Sequence, residues 1–371
     1  MPDAQNEHVA RGLESMVSHS ESNHDVSLNI HMHGKNIFEV PWIHKMIPGV
    51  EKLAASYHIG NFVAIRDTQE KIFESMPIYA RIGMHLLFYG TAQETILHYK
   101  SVEHLLQEQS VKQGKIYDSP ESAKSIPSFV KTYSLDLNEL LEPDITKYSC
   151  FNDFFSRKLK PNARPVQKLD NPRGICSAAD CRLTVYPTID LAKQFWIKGG
   201  QFSISTLLQV PTNSPTAIEF DGSSVAIFRL APADYHRFHC PIDGVVGDVT
   251  HVPGQYYTVN PQAVNEPEFD VFTANVRSIL YLTHTATGKR VAFVAIGALL
   301  VGSIVWTKGA EKGTEVKRGE ELGCFAYGGS TIVAVFPKGV IEFDQDLVKN
   351  SEEPIETLVK VGSSLGTTPT A

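Results

Sequence analysis

The stretch AYGGSTIVAVF, residues 326–336, joins a glycine pair, a serine and a threonine to a run of apolar β-formers. Paired glycines favour a turn, and β-branched residues favour a strand. The simplest interpretation is therefore a tight turn that leads into a buried strand. The alternative is chemical, because the glycines leave the Gly329 carbonyl uncrowded and so open a path for attack by the Ser330 hydroxyl.

The sequence around this stretch is typical of a curved, glycine-rich sheet. After Pro165, short β-rich runs alternate with Gly, Pro, Asn and Asp, which is the pattern of successive strands and turns. The segment EVKRGEELGCFAYGGSTIVAVFPKG (315–339) has the strand and turn pattern of barrel-sandwich hairpins. The other predicted strands lie in RLTVYP (182–187), FWIKGG (195–200), SSVAIFRLA (223–231), VVGDVTHVPG (245–254), YYTVN (256–260), RSILYLTH (277–284) and RVAFVAIGALLVGSIVWT (290–307).

The preceding part of the chain has helical periodicity. In TAQETILHYKSVEHLLQEQ (91–109) apolar residues recur at steps of three and four, which indicates an amphipathic helix. Further helices are predicted in NFVAIRDTQEKIFESM (61–76), IYARIGMHLLFYG (78–90) and CFNDFFSRKLK (150–160). These helices either pack on the next domain or dock on a membrane.

The predicted fold class is α+β, with N-terminal amphipathic helices packed on a Gly-rich, barrel-sandwich-like sheet domain. The polar composition of both ends of the chain predicts tails that cannot bury enough apolar area to fold. The predicted regions are a flexible polar tail at 1–35, a helical region at 36–160, a β-rich catalytic domain at 161–350 and a polar C-terminal tail at 351–371.

Composition narrows the class of protein. The 371 residues carry a net charge of −7, so we exclude nucleic acid as a partner, because phosphate binding requires clustered Lys and Arg. Five cysteines without a CxxC pair, and a start without a signal peptide, favour an intracellular location. The sequence has no uncharged run of about 18 apolar residues, so we expect a protein that is soluble or lies on a membrane surface.

Two further segments carry chemistry-bearing side chains. In LAPADYHRFHCPIDG (230–244), His236 and His239 are three residues apart, which places them on one side of a helical turn or on opposite faces of a strand. Structural histidines and a metal site are both open interpretations, although HxxH lacks a defined third ligand. Asp180 precedes the predicted strand RLTVYP, where turn chemistry is its ordinary role. Together Asp180, His239 and Ser330 supply an acid, a base and a nucleophile.

Five collinear segments resemble the motifs of phosphatidylserine decarboxylase proenzymes, over residues from about 40 to 345. A sixth, YDSPESAKSIPSFVKTYSLDLNELLEP (117–143), is similar to the eukaryotic endomembrane branch. The five are FNDFFSRKLKPNARPV (151–166), AADCRLTVYP (178–187), DYHRFHCPIDG (234–244), YYTVNPQAV (256–264) and KRGEELGCFAYGGSTIV (317–333).

The resemblance implies a self-processing carboxy-lyase that cleaves its own chain between Gly329 and Ser330. A second Gly-Ser pair ends at Ser303, but its context matches a structural strand of the family. The processing triad carries over to Asp180, His239 and Ser330, with Asp180 holding His239 in the tautomer that accepts the Ser330 proton.

The remaining site residues carry over in the same way. His236 matches the position associated with decarboxylation, and Gly328 and Thr331 are expected to support the oxyanion. Cleavage would leave a covalent pyruvoyl group derived from Ser330 on the small chain, whose carbonyl is the electron sink for decarboxylation. No added cofactor and no metal are expected.

The expected reaction is conversion of phosphatidylserine to phosphatidylethanolamine. One alternative is a soluble pyruvoyl-dependent decarboxylase of serine or aromatic amino acids, and another is a non-catalytic barrel-sandwich binding module. The expected partners are the membrane surface, the large and small chains of one precursor, and a second copy in a homodimer. We expect neither a C2 module nor a membrane-spanning leader, so membrane access falls to the helical region on cytoplasmic or peripheral endomembrane surfaces.

Overall fold

The computed structural model has a mixed α+β fold, and its elements are defined over part of the chain. The described residues are 60–75, 111–112, 114–195, 197, 202–257, 259, 264, 270–298, 303–326, 330–353 and 355–370. Two of the predicted helices (78–90 and 91–109) and the predicted tail at 1–35 lie outside these ranges.

Strands make up most of the described structure. They are β1 (Gly60–Ile65), β2 (Lys71–Ser75), β3 (Gly174–Cys176), β4 (Cys181–Tyr186), β5 (Ser224–Leu230), β6 (Arg237–His239), β7 (Gly244–Val252), β8 (Arg277–His284), β9 (Arg290–Gly297), β10 (Ile304–Trp306), β11 (Glu315–Val316), β12 (Glu321–Phe325), β13 (Ser330–Phe336), β14 (Glu342–Phe343), β15 (Glu356–Val359) and β16 (Ser364–Thr367).

The described helices are short. They are α1 (Ile126–Tyr133), α2 (Phe151–Phe155), α3 (Ile189–Phe195), α4 (Ile204–Leu207), α5 (Pro215–Glu219), α6 (Val271–Ala274) and α7 (Gln345–Glu352). Within the described ranges, no helix has the length and apolar character needed to cross a membrane.

The strand predicted from AYGGSTIVAVF is confirmed as β13, and it lies inside a ten-stranded sheet. The order of the described strands is β11-β7-β8-β9-β13-β5-β4-β15-β1-β2, an open sheet rather than a closed barrel. All seven residues of β13 are buried, and β5 and β9 pair with its two edges in antiparallel register. A continuous apolar run fits this position, because both faces of the strand are covered.

Alternate side chains of β13 enter two separate hydrophobic cores. Ile332, Ala334 and Phe336 belong to the first, and Val333 and Val335 to the second. The first core is covered by the three-stranded sheet β10-β12-β6, and the second by short helices and loops that include α3, α4 and α6. This alternation determines which face each site residue occupies.

The barrel-sandwich hairpin predicted over 315–339 is wrong. β12 pairs with β6 and β10 in the small sheet, whereas β13 pairs with β5 and β9 in the large one. The two successive strands therefore belong to different sheets. Both edges of β13 are hydrogen-bonded to β5 and β9. No edge of β13 is therefore left to pair with β12, as a hairpin would require.

The helix predicted in NFVAIRDTQEKIFESM is also wrong, because β1 and β2 form a hairpin there. Val63 lies opposite Ile72, and Gln69 in the turn has a positive φ of 56°. β1 also pairs in parallel with β15, nearly 300 residues away in the sequence, with Val63 opposite Glu356. That distant edge satisfies the β1 backbone, and local periodicity carries no information about it.

The helix predicted in 150–160 is present only as α2, and α1 precedes it within the region 36–160, whose assignment as a helical region stays a prediction. α1 and α2 share an aromatic cluster in which Phe129 meets Phe151 edge to face, with ring centroids 5.1 Å apart. The strand predictions at FWIKGG and YYTVN are not confirmed, because Phe195 ends α3 and the described part of 256–260 forms no strand. Apart from Phe195 and Ile197, the FWIKGG segment lies outside the described residues.

The polar tail predicted over 351–371 is corrected by the structure. β15 lies between β4 and β1 in the large sheet, and β16 pairs with β3 and β14. Val359, Val361 and Leu365 are buried. The average composition of the segment is polar, but its apolar residues are spaced so that they reach the core.

Candidate active site

Two of the predicted site residues, Ser330 and Asp180, lie at the same end of nearby strands in the large sheet. Ser330 opens β13 and lies opposite Leu230, the last residue of β5. Asp180 directly precedes β4, whose Arg182 lies opposite Arg229 next to Leu230. Asp180 and Ser330 begin two strands that are separated by β5 alone. Because neighbouring strands are about 4.8 Å apart, the two strand starts lie about 10 Å from each other. The loop that leaves β5 carries His236 and leads to His239.

Ser330 is fully buried, and its Oγ has no hydrogen-bond partner among the described residues. Its position in β13 matches Ile332, so its side chain lies on the face of the first core, which β6 also covers. A buried hydroxyl without a partner costs about 1–3 kcal/mol, so its retention requires an explanation. Gly328 and Gly329 lie outside the described residues.

Thr331 occupies the other face of β13. Its Oγ1 is also buried without a partner within the described ranges, but alternation directs it to the face of Val333 and the second core. Ser303, of the second Gly-Ser pair, is exposed, and its carbonyl accepts a hydrogen bond from the Ala326 amide. The two serines therefore differ in burial.

His239 is held through both ring nitrogens. Nδ1 lies 2.8 Å from the Gly319 carbonyl, and Nε2 lies 3.1 Å from the Tyr235 hydroxyl. A carbonyl accepts only, so Nδ1 carries the hydrogen and Nε2 of the neutral ring accepts from Tyr235. Burial lowers the pKa of His239, and the Gly319 carbonyl and the charges of Glu321 and Asp180 oppose that shift. The His239 ring is thus neutral, and the lone pair of its Nε2 accepts the hydrogen bond from Tyr235.

Asp180 does not hold His239, which corrects the orienting role expected for it. Its carboxylate accepts from Arg164 Nε at 3.0 Å and Nη2 at 2.7 Å, and from the Val361 amide at 2.8 Å. The Gly319 carbonyl sets the tautomer of His239 instead. Asp180 influences His239 through its charge, which raises the pKa of the ring.

His236 lies immediately before β6 and is fully buried. Its Nδ1 lies 2.9 Å from the Asp234 carbonyl, and its ring packs against Phe155 with centroids 3.9 Å apart. Strand alternation places it on the face of Phe238, a residue of the first core, and places His239 on the opposite face. The HxxH pair therefore takes the strand arrangement, and its two histidines have separate surroundings.

Sequence reasoning missed the residues that position this site. Arg164, Tyr235 and Gly319 contact Asp180 or His239 directly, and Arg157 donates to the loop before His236. All four lie inside the segments that resembled family motifs, and that clustering was the available signal.

This arrangement defines an α+β fold in which a buried serine and an arginine-bound aspartate lie at the same strand ends, with two histidines in and directly before β6. The family model for phosphatidylserine decarboxylase matches residues 151–367, which is more than half of the chain. The chain belongs to the phosphatidylserine decarboxylase family.

Individual relatives agree with this assignment. The chain is 43% identical over 304 residues to phosphatidylserine decarboxylase proenzyme 2 of Komagataella phaffii, covering 82% of this chain and 29% of that protein. It is 42% identical over 332 residues to proenzyme 2 of Saccharomyces cerevisiae, covering 88% and 28%. It is 37% identical over 253 residues to the proenzyme of Fusobacterium nucleatum, covering 68% and 81%. The match thus spans less than a third of the two yeast relatives.

Proposed function

We propose that this chain cleaves itself between Gly329 and Ser330 and then decarboxylates phosphatidylserine to phosphatidylethanolamine. The observation that carries the proposal is the buried Ser330 hydroxyl, which has no partner among the described residues and lies where the family's cleavage motif falls. A serine that only completed a turn would leave the desolvation of this hydroxyl uncompensated.

In the proposed first step Tyr235 releases His239 Nε2, the ring moves from the opposite face of β6 to Ser330, and Nε2 accepts the Ser330 proton while Oγ attacks the Gly329 carbonyl. The new C–O bond replaces the peptide C–N bond, and the proton passes to the departing amine of Ser330, which leaves an ester. Main-chain N–H groups near Gly328 are the proposed support for the oxyanion. The contribution proposed for Thr331 is limited to its main chain, because its side chain lies on the opposite face.

In the second step the Ser330 α-proton is lost and the Cβ–O bond breaks, which releases the Gly329 carboxylate. The resulting dehydroalanine takes up water and releases ammonia, leaving a pyruvoyl group at residue 330. The site fits this group, because residue 330 is buried and opens a strand paired on both edges. The ketone supplies an electron sink for loss of carbon dioxide.

His236 is the proposed proton donor for decarboxylation. Its Nδ1 hydrogen is directed to the Asp234 carbonyl, so exchange with substrate falls to Nε2. Packing against Phe155 fixes the plane of the ring. The proposed separation of roles, with His239 acting in cleavage and His236 in decarboxylation, follows the separation of their surroundings.

Both products of cleavage are proposed to stay in one fold. The small chain would contain residues 330–371 and so β13, β14, β15 and β16. β13 lies between β5 and β9 of the large chain, and β15 lies between β4 and β1. Separation would break backbone pairing along both strands.

We further propose that the enzyme acts at the surface of intracellular endomembranes. The lipid named in the family description supports this placement. The homodimer expected from the family stays a prediction.

The test is to incubate the purified chain with phosphatidylserine vesicles, with free serine and with free tryptophan, and to measure carbon dioxide release alongside intact mass. The expected result is loss of a segment of 371 − 329 = 42 residues and carbon dioxide from the vesicles. Release from free amino acids alone would replace the lipid substrate by the amino-acid alternative. An uncleaved, inactive chain would favour the binding module.

A further inference from the structure

The segment of residues 151–164, here called the strap, contributes to the steps above only through Phe155, which packs on His236. It begins with α2 and continues as an irregular chain with short turns. Two arginines, Arg157 and Arg164, lie seven residues apart within it, and each reaches a different part of the site.

Arg157 binds the loop that precedes His236. Its side chain is nearly buried, at 6% relative exposure, and lies over the Phe154 ring at 5.3 Å from the centroid. Nη2 donates to the carbonyls of Ala233 and Asp234, both at 3.1 Å. Nη1 donates to the Phe155 carbonyl at 3.3 Å, so the guanidinium uses two nitrogens, whereas a lysine ammonium has only one.

These contacts determine the ring plane and the tautomer of His236. The Asp234 carbonyl that accepts from Arg157 also accepts from His236 Nδ1 at 2.9 Å. Phe155 of the strap packs on the His236 ring, and the strap carbonyl of Ser156 accepts from Arg237 Nε at 2.8 Å. The strap therefore fixes both the plane of His236 and the nitrogen that carries its hydrogen.

Arg164 binds Asp180. Its Nη2 bridges Asp180 at 2.7 Å and Glu139 at 2.8 Å, and its Nε lies 3.0 Å from both oxygens of Asp180. The arginine and the aspartate side chains are 10% and 11% exposed. Burial alone would lower the pKa of Arg164, but its hydrogen bonds to the carboxylates of Asp180 and Glu139 outweigh that effect and raise the pKa. The Arg164 guanidinium therefore stays charged. Asp180 also accepts from the Val361 amide, in the proposed small chain.

We propose that the strap is a positioning device for both chemical steps: Arg164 holds the Asp180 carboxylate, whose charge acts on the His239 ring, for self-cleavage, and Arg157 orients His236 for decarboxylation. This inference rests on the proposed function. Neither arginine is assigned contact with substrate, so both are positioning residues. Their separate targets predict that loss of each one impairs a different step.

The test compares Arg157→Lys, Arg164→Lys and the matched control Lys158→Ala in the full chain. Lys158 is exposed and lies on the same segment, so its replacement removes a strap charge without touching either target. Cleavage is followed by intact mass, and carbon dioxide release is expressed per cleaved chain.

Arg157→Lys is expected to lower kcat per cleaved chain about 10- to 100-fold with KM retained, and to slow cleavage much less. Arg164→Lys is expected to slow cleavage about 10- to 100-fold, with a much smaller loss of carbon dioxide release per cleaved chain. Lys158→Ala is expected to match the wild type. Equal losses of both steps in both arginine variants, or a loss in Lys158→Ala, would overturn the strap proposal.

A second measurement is independent of activity. In the uncleaved Ser330→Ala chain with ¹⁵N-labelled histidine, His236 is expected as the Nδ1-protonated tautomer, and Arg157→Lys is expected to shift it towards a mixture. A mixture already present with Arg157 in place would contradict the proposal. An uncleaved wild-type chain would instead reject the proposed function, and the strap proposal with it.

Discussion

Tyr235 donates its hydroxyl hydrogen to His239 Nε2 across 3.1 Å, the nitrogen proposed to accept the Ser330 proton. The Gly319 carbonyl, 2.8 Å from Nδ1, fixes this tautomer. The Nε2 lone pair is therefore occupied, so the proposed proton transfer from Ser330 would require Tyr235 to release Nε2. This relationship determines how cleavage should respond to pH.

The rate of self-cleavage is expected to persist below the ordinary histidine pKa of 6.5. Burial lowers the pKa of His239, so the neutral ring that acts as the base predominates down to a lower pH. The rate should fall only as the pH falls through the lowered pKa. Time courses of intact mass across mildly acidic and neutral pH measure the midpoint. A midpoint above 6.5 would contradict a buried neutral base.

Tyr235→Phe is expected to move that midpoint to higher pH. The hydroxyl donates to the neutral form of His239, so its removal raises the pKa of the ring. The same time courses supply the measurement. Tyr148→Phe is the matched control, because the Tyr148 hydroxyl donates to the Glu142 carbonyl in the aromatic cluster. An unchanged midpoint in Tyr235→Phe would show that the hydroxyl does not influence the base.

Ser330→Ala is expected to abolish self-cleavage, because no other atom at that position can attack the Gly329 carbonyl. Intact mass should show one chain of 371 residues. The control Ser303→Ala alters the exposed serine of the second Gly-Ser pair and should still cleave. Cleavage of the Ser330→Ala chain, or loss of cleavage in Ser303→Ala alone, would show that the cleavage site is not Gly329–Ser330.

The two histidines are expected to separate the two steps. His239→Gln should leave the chain uncleaved, because it removes the base. His236→Gln should still cleave but release carbon dioxide about 10²- to 10⁴-fold more slowly, the usual contribution of a positioned acid or base. Intact mass and carbon dioxide per cleaved chain are the two measurements. Cleavage by His239→Gln at the wild-type rate would reject its assignment.

Glu356→Gln is expected to destabilise the fold by about 3–5 kcal/mol, because it leaves the Arg229 charge unbalanced inside the protein. Arg229 Nε lies 2.7 Å from Glu356, which is 1% exposed. Glu353→Gln, in the exposed pair with Lys71, should change the free energy of unfolding much less, because water screens an exposed ion pair. Urea unfolding in the Ser330→Ala background measures both. Equal costs would show that burial of the first pair is immaterial.

Much of the β-domain was predictable from local pattern. The strands β4, β5, β8, β9 and β13 coincide with apolar runs bounded by Gly, Pro or polar turns. The hairpin of β1 and β2 and the C-terminal strands were not predictable in this way. Their pairing depends on β15, which joins the N-terminal hairpin to the rest of the sheet.

The same division holds for the site. Ser330, His236, His239 and Asp180 were visible because each is a reactive residue type in a distinctive segment. Their positioning contacts were invisible, because they cross long sequence separations: 80 residues from His239 to Gly319 and 181 from Asp180 to Val361. The predicted contact between Asp180 and His239 was wrong for this reason.

The sequence by itself determined the family, the position of the AYGGSTIVAVF strand and the identity of the reactive side chains, because these depend on local residue type and order. Only the tertiary structure decided that Ser330 opens a strand paired on both edges, that the two histidines face opposite sides, and that Arg164 rather than His239 binds Asp180. Such contacts depend on which distant segments meet at the same strand ends, and burial there makes an unpaired polar group costly.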